Sequence, residues 1–359
     1  MKEVVYIGTE LLPPYNEMCA KLVYTLIKNL LPERQYKVLS LPKPGVKVAS
    51  PANHNYISLP DRGPLATALS LPLYLMKHSG RGKSIIHFMV LAARHTRYVS
   101  SLLSFCKLLG VPTVFTLLKK NSEVILCARN ASVIVAQTEP VMETTRMLLP
   151  EHGNIHQIYG GTLETHHAAV ERAKKEVLFV GVPLLWERRD LKQRGVNLLF
   201  ETIRHFQGMN EGVHFTVLNR ALPNVPFINE MARGIPDEIM EIRHESVSDI
   251  ANYYSSSSML LCLHFDDHCP DPPLSVIEAL ACGCPIVTTK FNSLYRLIRD
   301  KGAGVTVEPD PSSVAEGIKK VLSDVESYSR NAHRLARENF AENVFSASYN
   351  KIYALLDNA

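Results

Sequence analysis

The stretch Asp271–Thr289 reads D-P-P-L-S-V-I-E-A-L-A-C-G-C-P-I-V-T-T and predicts a short helix that leads directly into a buried strand. Two prolines precede the helix, and Gly283 is expected to end it after about two turns, since glycine readily takes the left-handed conformation of a helix end. The next residues, Pro285–Thr289, form an apolar and largely β-branched run of strand length. A helix followed at once by a buried strand is typical of a parallel α/β sheet.

The start of that helix predicts an anion site. Ser275 and Glu278 have the spacing of a capping box, in which two side chains satisfy backbone N–H groups of the first turn. The remaining free N–H groups are then expected around Leu274, Ser275, Val276 and Ile277. Unpaired donors at the positive end of a helix dipole are suited to binding a phosphate group.

Short β-rich runs alternate with helical patterns along the chain, which predicts parallel sheets with helices on both faces. One helical pattern is Tyr15–Leu31, and another is Pro311–Leu322, with Asp310 as its expected N-cap. The polar stretch Thr165–Lys175 separates two units of similar size, so we expect two doubly wound α/β domains that face each other across one cleft. The expected strands are Glu3–Gly8, Tyr36–Leu41, Ser84–Met89, Thr113–Leu117, Ser132–Ala136, Glu176–Gly181, His214–Leu218, Met259–His264, Pro285–Thr289 and Gly304–Val307.

The composition fits a globular protein of two domains. Of the 359 residues, 46% are hydrophobic and 21% are charged, and the length exceeds what one core usually supports. No basic segment with a following apolar core opens the chain, and the longest apolar stretch, Leu65–Met76, is broken by Pro72. We therefore expect a cytoplasmic protein without a membrane span.

Four of the seven cysteines lie close together late in the chain and raise the question of a zinc site. They are Cys262, Cys269, Cys282 and Cys284, and their spacing is not that of paired Cys-x-x-Cys motifs. Cys262 and Cys282 also lie in apolar strand and helix patterns. We expect buried thiols in a reducing compartment and no bound metal.

Charge is distributed unevenly along the chain. Up to Thr165 there are 18 Lys and Arg against 10 Asp and Glu, and after it 21 against 25. A basic N-terminal half suits an anionic or lipid-linked acceptor, or peripheral contact with the anionic inner surface of a membrane. The alternative is that these lysines and arginines are solvated on helix faces. We expect no nucleic-acid partner.

Residues Glu278–Pro285, E-A-L-A-C-G-C-P, resemble the donor-binding helix of the family 4 glycosyltransferases, which are retaining enzymes with the GT-B fold. The resemblance implies two Rossmann-like domains, a nucleotide diphosphate sugar as donor, metal-independent chemistry and no other cofactor. It also implies that Glu278 accepts hydrogen bonds from the ribose hydroxyls of the nucleotide. The alternative is that Glu278 only completes the capping box with Ser275.

The expected start of the second domain is similar to the same family. Leu178–Gly181 followed by Lys192–Leu199 matches the pattern Phe-Val-Gly-Arg-Leu, a loop, and Lys-Gly-Val-Asp-Leu-Leu, whose Arg and Lys hold the donor diphosphate. Arg194 stands at the Lys position with Lys192 nearby, so the resemblance implies that these cations stabilise the leaving group. Val182 stands at the Arg position and removes one cation.

The resemblance continues to the end of the chain. Gly302–Leu322 is similar to the strand and helix that follow the donor site, and Arg337–Leu355 is similar to a C-terminal helix that crosses back to the first domain. The expected domains are therefore an acceptor-side domain over residues 1–168, completed by a helix over residues 337–359, and a nucleotide-sugar-binding domain over residues 169–336.

Two further departures from the family pattern bear on activity. The glycine pair expected after the first strand is replaced by Pro13–Glu17, which holds no glycine. The first Glu of the donor pattern falls on Pro270, which cannot serve. Asp271 or Asp267 is therefore expected to hold the sugar hydroxyls in its place.

His87 ends a predicted strand at the edge of the expected cleft. Family members often have His-x-His there, in contact with the sugar or the acceptor, whereas Met89 replaces the second histidine here. The resemblance makes His87 a catalytic candidate, and a structural role at the strand end is the alternative.

The leading hypothesis is a retaining glycosyltransferase that moves a hexose-type sugar from a nucleotide diphosphate sugar to an acceptor in glycan, glycolipid or glycoconjugate synthesis. The first alternative is a catalytically weakened GT-B protein that acts as a nucleotide-sugar-binding or partner subunit, because a glycine pair, a cation and an acid are missing. A GT-B epimerase comes third, since such enzymes usually surround the sugar with more acids than this chain offers.

Overall fold

The computed structural model of the chain divides into two compact units. Unit 1 comprises Met1–Gly161 together with Glu342–Ala359, and unit 2 comprises Thr162–Ala341. The structure describes residues 1–9, 11, 18–41, 55–58, 83–89, 96–161, 175–180, 188–209, 211–219, 224–244, 249–265 and 272–358.

Unit 1 is built on a parallel sheet of seven strands in the order β3-β2-β1-β4-β5-β6-β7. The chain moves outward from β1 to β3, returns to the centre at β4 and moves outward again to β7. Strands β4 and β5 are buried at every position, as expected where helices cover both faces of a sheet. The strands are β1 (Glu3–Thr9), β2 (Tyr36–Leu41), β3 (Tyr56–Ser58), β4 (Ser84–Met89), β5 (Thr113–Leu117), β6 (Val133–Ala136) and β7 (Ile155–Gln157).

Two apolar cores lie on the two faces of this sheet. One includes Phe88 and Phe115, whose rings stack with their centroids 6.1 Å apart. The other includes Tyr6 and Ile85. In the described residues before 161, the α-helices are α1 (Met18–Lys28), α2 (Thr96–Leu108), α3 (Ser122–Cys127) and α4 (Glu139–Leu148).

Unit 2 repeats this architecture with six parallel strands in the order β10-β9-β8-β11-β12-β13. The predicted fold class of two doubly wound α/β domains is therefore confirmed. The strands are β8 (Glu176–Phe179), β9 (His214–Leu218), β10 (Met240–Arg243), β11 (Met259–Cys262), β12 (Ile286–Thr289) and β13 (Gly304–Val307). The helices are α5 (Arg188–Gln193), α6 (Val196–Gln207), α7 (Val225–Ala232), α8 (Ile250–Ser256), α9 (Leu274–Ala281), α10 (Tyr295–Asp300), α11 (Pro311–Leu322) and α12 (Val325–Asn339).

All of the predicted strands are present, with ends close to those expected from the sequence. The structure adds β3, β7 and β10, which the sequence did not predict. Each of these is a short strand at the edge of its sheet, and β7 and β10 are only partly buried. No continuous apolar run marks such a strand in the sequence, because only part of it faces a core.

The last helix, α13 (Glu342–Asp357), belongs to unit 1 although the chain reaches it through unit 2. Its apolar face completes the core of unit 1 with Phe345, Tyr349, Ile352, Tyr353 and Leu356. The predicted C-terminal helix is present but begins later than Arg337, because α12 ends at Asn339 and α13 begins at Glu342 after a short break. Within the described part of the chain, no helix has the length and apolar character needed to cross a bilayer.

Polar contacts fix the end of α13. The carboxylate of Asp357 accepts hydrogen bonds from the guanidinium of Arg34 at 2.6 and 3.1 Å, and from the backbone N–H of Lys2 at 2.8 Å. A bidentate pair between arginine and a carboxylate adds geometric specificity to its charge attraction. The first and last segments of the chain are therefore held together within unit 1.

Asp310 caps α11 as predicted, because its side chain accepts the backbone N–H of Ser313 at 2.9 Å. The Asp310→Ala substitution is expected to lower the free energy of unfolding by about 1 kcal/mol, since this N–H loses its acceptor. Urea denaturation measures the change, and Asp310→Asn is the control because asparagine caps a helix equally well. An equal loss in both variants would show that the charge, and not the cap, stabilises the helix.

Candidate functional site

The sheet of unit 2 reverses its direction of growth between β8 and β11. These strands are parallel neighbours, yet the chain proceeds from β8 towards β10 on one side and from β11 towards β13 on the other. In doubly wound sheets a crevice forms beyond the carboxyl ends of the strands at such a switch point, and ligands bind there. Among the described residues, the candidate site is therefore sought at Gln193–Gly195, at Leu263–Phe265 and at the start of α9.

Helix α9 follows β11 and begins directly after Pro273. Pro273 is its N-cap (φ −64°, ψ 119°), and no side chain caps the helix. The carbonyl of Pro273 accepts the N–H groups of Val276 and Ile277 at 3.0 and 3.3 Å. Among the described residues, no acceptor faces the N–H of Leu274 or Ser275. The expected free donors at the helix start are thus narrowed to these two residues.

The predicted capping box is wrong. Ser275 lies inside the helix and not at its N-cap, because the helix already begins at Leu274, directly after the extended backbone of Pro273. Glu278 lies further along α9 and is buried, and one of its carboxylate oxygens accepts a hydrogen bond from the hydroxyl of Tyr254 in α8 at 3.4 Å. The carboxylate of Glu278 therefore lies beside α8 and does not cap α9.

The end of α9 follows the prediction. Gly283 has a φ of 68°, which lies in the left-handed region. The N–H groups of Gly283 and Cys284 donate to the carbonyls of Leu280 and Ala279 at 2.9 and 2.8 Å. This pair of hydrogen bonds is a Schellman motif, and it turns the chain directly towards β12.

Arg194 is held against the end of β11 by its two neighbours. The carbonyl of Gln193 accepts the backbone N–H of Phe265 at 2.8 Å. Gly195, with a φ of 76°, is the N-cap of α6 and packs so closely that a Cβ atom there would overlap the carbonyl oxygen of Leu263. The half-buried side chain of Arg194 therefore starts beside the residues that follow β11.

Lys192 lies on the same turn of chain as Arg194. Its carbonyl accepts the backbone N–H of Gly195 at 2.9 Å, and its side chain is exposed at the end of α5. The structure thus brings both predicted cations to the switch point, with Arg194 the more enclosed of the two.

His264 is a residue at this edge that the sequence did not single out. It follows β11, only 4% of its surface is exposed, and its carbonyl accepts the hydroxyl of Thr289 at 2.5 Å. Burial, and then the positive charge of Arg194, lowers the pKa of His264 to about 3, so the imidazole is neutral at pH 7. A histidine directly after an apolar strand is the sequence feature that could have identified it.

His87 lies in unit 1, inside β4, and is fully buried. Its Nδ1 and Nε2 atoms make hydrogen bonds with the hydroxyls of Tyr353 and Thr116, each at 2.7 Å. The hydroxyl of Thr116 also bonds that of Tyr349 at 2.8 Å, and the Tyr349 ring stacks on His87 with centroids 5.3 Å apart. Both ring nitrogens are committed within the core, which favours the structural alternative for His87.

The buried imidazole of His87 makes stability depend on pH. Burial lowers the pKa of His87 from 6.5 to about 3, so between these values the unfolded chain binds a proton that the folded chain does not. The contribution of His87 to the free energy of unfolding is therefore fully present above about pH 6.5. Below that pH it falls by about 1.4 kcal/mol per pH unit. Unfolding free energies of the wild type and His87→Asn, measured from pH 7 to about pH 4.5, are expected to converge as the pH falls. A constant difference between them would contradict a neutral His87.

Several predicted site residues lie outside the described residues. Asp267 and Asp271 fall in the range 266–271, and Val182 falls in the range 181–187. The glycine-free segment Pro13–Glu17 likewise falls in the range 12–17. Their roles stay predictions.

The described ranges contain no group of three or more His, Cys, Asp or Glu side chains that could hold a metal ion. Cys262, Cys282 and Cys284 are buried there and form no disulfide bond. Cys269 lies outside the described residues.

The residues that form this site match a known protein family. Residues 174–324 match the family model described as Glycosyl transferases group 1. The matched range includes β8, Arg194, His264 and α9, so the candidate site lies wholly within it. No curated protein matches the chain.

Solved structures resemble the chain over nearly its whole length. Sucrose-phosphate synthase from Thermosynechococcus elongatus is 13% identical with a TM-score of 0.73, and the match covers 99% of both chains. HepE from Anabaena, in complex with UDP, is 12% identical with a TM-score of 0.72, covering 98% of this chain and 100% of that chain. The lipopolysaccharide outer core galactosyltransferase WaaB is 13% identical with a TM-score of 0.72, covering 98% of this chain and 99% of that chain. The predicted GT-B fold is confirmed, and together with the family match it supports a glycosyltransferase.

Proposed function

We propose that this protein is a retaining, metal-independent glycosyltransferase of family 4. It transfers a hexose-type sugar from a nucleotide diphosphate sugar to an acceptor, in the synthesis of a glycan, glycolipid or glycoconjugate. The observation that carries the proposal is the arrangement at the switch point of unit 2, where α9 begins without a side-chain cap and Arg194 lies beside the end of β11.

This arrangement suits the leaving group of a sugar transfer. When the bond between the anomeric carbon and the phosphate oxygen breaks, negative charge grows on the departing diphosphate. The N–H groups of Leu274 and Ser275, at the positive end of the α9 dipole, would donate to its oxygens, and Arg194 would supply a full positive charge with Lys192 nearby. Donors and charges that are already in place before the reaction usually lower the barrier more than any other single effect in an enzyme.

Other residues would position the rest of the donor. Glu278 is buried on α9 and takes no part in capping, so we assign its carboxylate to the ribose hydroxyls of the nucleotide. Asp271 or Asp267 would hold the sugar hydroxyls. Retention of configuration rests on the resemblance of residues 278–285 to the family 4 donor helix.

A uridine nucleotide is the first donor class to test. HepE has the same fold and is known in complexes with UDP, with UDP and glucose, and with UDP-glucose. Unit 1 would hold the acceptor, and the excess of Lys and Arg before Thr165 favours an anionic or lipid-linked molecule at an inner membrane surface.

Nucleotide binding and donor turnover test the proposal separately. Calorimetric titration with UDP, GDP and ADP identifies the base, and release of free nucleoside diphosphate from the matching hexose donors measures turnover. We expect one nucleotide to bind, with slow release from its sugar donor that a cell extract containing acceptors accelerates. Proton NMR of the glycoside product then shows whether the anomeric configuration is retained.

Glu278→Gln is the matched variant for the ribose contact, because it keeps the shape of the side chain and removes its charge. We expect it to weaken binding of the nucleotide without lowering the unfolding temperature. Binding without turnover, even with the extract, would favour the alternative of a catalytically weakened partner subunit, which the family match and the structural neighbours do not favour. Absence of binding for every nucleotide would overturn both.

A further inference from the structure

We infer that the imidazole of His264 contacts the donor diphosphate as an uncharged hydrogen-bond donor, beside Arg194 and the start of α9. The inference rests on the proposed function, because it assigns one more residue to the same site. Neither the family pattern in the sequence nor the departures from it indicated a role for His264.

His264 and Arg194 are the middle residues of two segments that run against each other. The segments are Gln193–Gly195 and Leu263–Phe265, and they touch at both ends, through one backbone hydrogen bond of 2.8 Å and one close glycine contact. The middle residues are therefore neighbours, in agreement with the effect of the Arg194 charge on the pKa of His264. His264 follows β11 at the carboxyl edge of the sheet, and the contacts with Leu263 and Phe265 bring Arg194, which lies between α5 and α6, to the same edge.

The imidazole of His264 is nearly buried and has no hydrogen-bond partner among the described residues. Its backbone is fixed, since its carbonyl accepts the hydroxyl of Thr289. His87 shows the contrast, because both of its ring nitrogens are paired within the core. Buried polar groups are almost always paired in folded proteins, so an unpaired ring at the ligand-binding edge points to a ligand atom as its partner.

An uncharged donor suits this place better than a second cation. Burial and the neighbouring Arg194 both oppose a positive charge on the ring, yet a neutral imidazole still carries one N–H that can donate to a phosphate oxygen. The chain has Val182 where the family pattern has an arginine, so one of the two cations that hold the diphosphate in that pattern is missing. We assign to His264 a donor to the same group, from the residues that directly follow β11.

The test uses UDP, with GDP as the second probe, titrated calorimetrically into the wild type and two variants at pH 7.5. His264→Leu removes the donor and is expected to weaken binding by about 10-fold or more, as for a hydrogen bond to a charged group. His264→Gln keeps an N–H donor and is expected to retain most of the affinity. His214→Gln is the matched control, because His214 begins β9 at the opposite edge of the same sheet and pairs with Glu176 at 2.9 Å.

A second measurement is made on the wild type and needs one variant only to assign the signals. In wild-type protein with ¹⁵N-labelled histidine, the ring signals of His264 are identified by their absence from His264→Gln. Addition of UDP is expected to shift them while they keep the pattern of a neutral ring. Unchanged signals, or equal affinity of the wild type and His264→Leu for UDP, would overturn the role of His264 and leave the proposed function intact. A wild type that binds neither UDP nor GDP would overturn both.

Discussion

Arg194→Ala is expected to lower the turnover of the nucleotide sugar by about 100-fold to 1,000-fold, since removal of one preorganised donor to a developing charge costs this much in other enzymes. Arg194 is the more enclosed of the two predicted cations, and the contacts of Gln193 and Gly195 fix its position against the end of β11. The loss is expected in kcat as well as in kcat/KM, because the charge on the diphosphate is largest in the transition state.

Release of the nucleoside diphosphate at several donor concentrations measures both constants. Arg330→Ala is the matched control, because Arg330 lies on the exposed surface of α12, where it pairs with Glu326 at 3.7 Å. We expect this variant to retain the wild-type rate. Full activity of Arg194→Ala would place the leaving group elsewhere and remove the main support for the proposed site.

Gly195→Ala is expected to lower the free energy of unfolding by about 2–5 kcal/mol. Two costs combine at this position. The left-handed backbone, with a φ of 76°, costs a residue with a Cβ atom about 1–2 kcal/mol, and overlap with the carbonyl oxygen of Leu263 adds about 1–3 kcal/mol. Because the overlap is with backbone, a side-chain rotation cannot relieve it.

Gly234→Ala separates the two costs. Gly234 also has a left-handed backbone, with a φ of 81°, but a Cβ atom there would meet nothing within 4 Å. Urea unfolding is expected to show only the backbone cost for Gly234→Ala and the larger loss for Gly195→Ala. Gly195→Ala is also expected to bind UDP more weakly than the wild type, because a shift of the backbone at residue 195 would move Arg194. Equal losses in the two variants would mean that the chain relaxes around Gly195.

The features that the sequence predicted well are local. Asp310 caps α11 through a residue three positions away, and Gly283 ends α9 through the conformation of its own backbone. The buried strands were recognised because helices cover both faces of each sheet, which leaves continuous apolar runs in the sequence. Edge strands such as β10 have one neighbour and mixed exposure, so their pattern is weak.

The features that were not predicted from the sequence depend on which of two residues caps a helix, or on contacts between residues far apart in the chain. Ser275 and Glu278 have the spacing of a capping box, but Pro273, with a ψ of 119°, holds the cap position and Ser275 lies inside the helix. His264 gains its importance from Arg194, which lies far away in the sequence and is brought close by the pairing of β8 with β11. His87 fitted a catalytic pattern in the sequence. Its hydroxyl partners, on β5 and α13, lie far from it in the chain and are brought to it only by the fold.

The hydrogen bond between Lys2 and Asp357 makes the protein a suitable subject for circular permutation. A short linker could join the present ends, and new ends could be opened between Ala341 and Glu342. In the permuted gene, α13 would precede β1, so that each unit would be encoded by one uninterrupted segment. Unit 2 could then be removed or exchanged with a single cut, which the natural order of the chain does not allow.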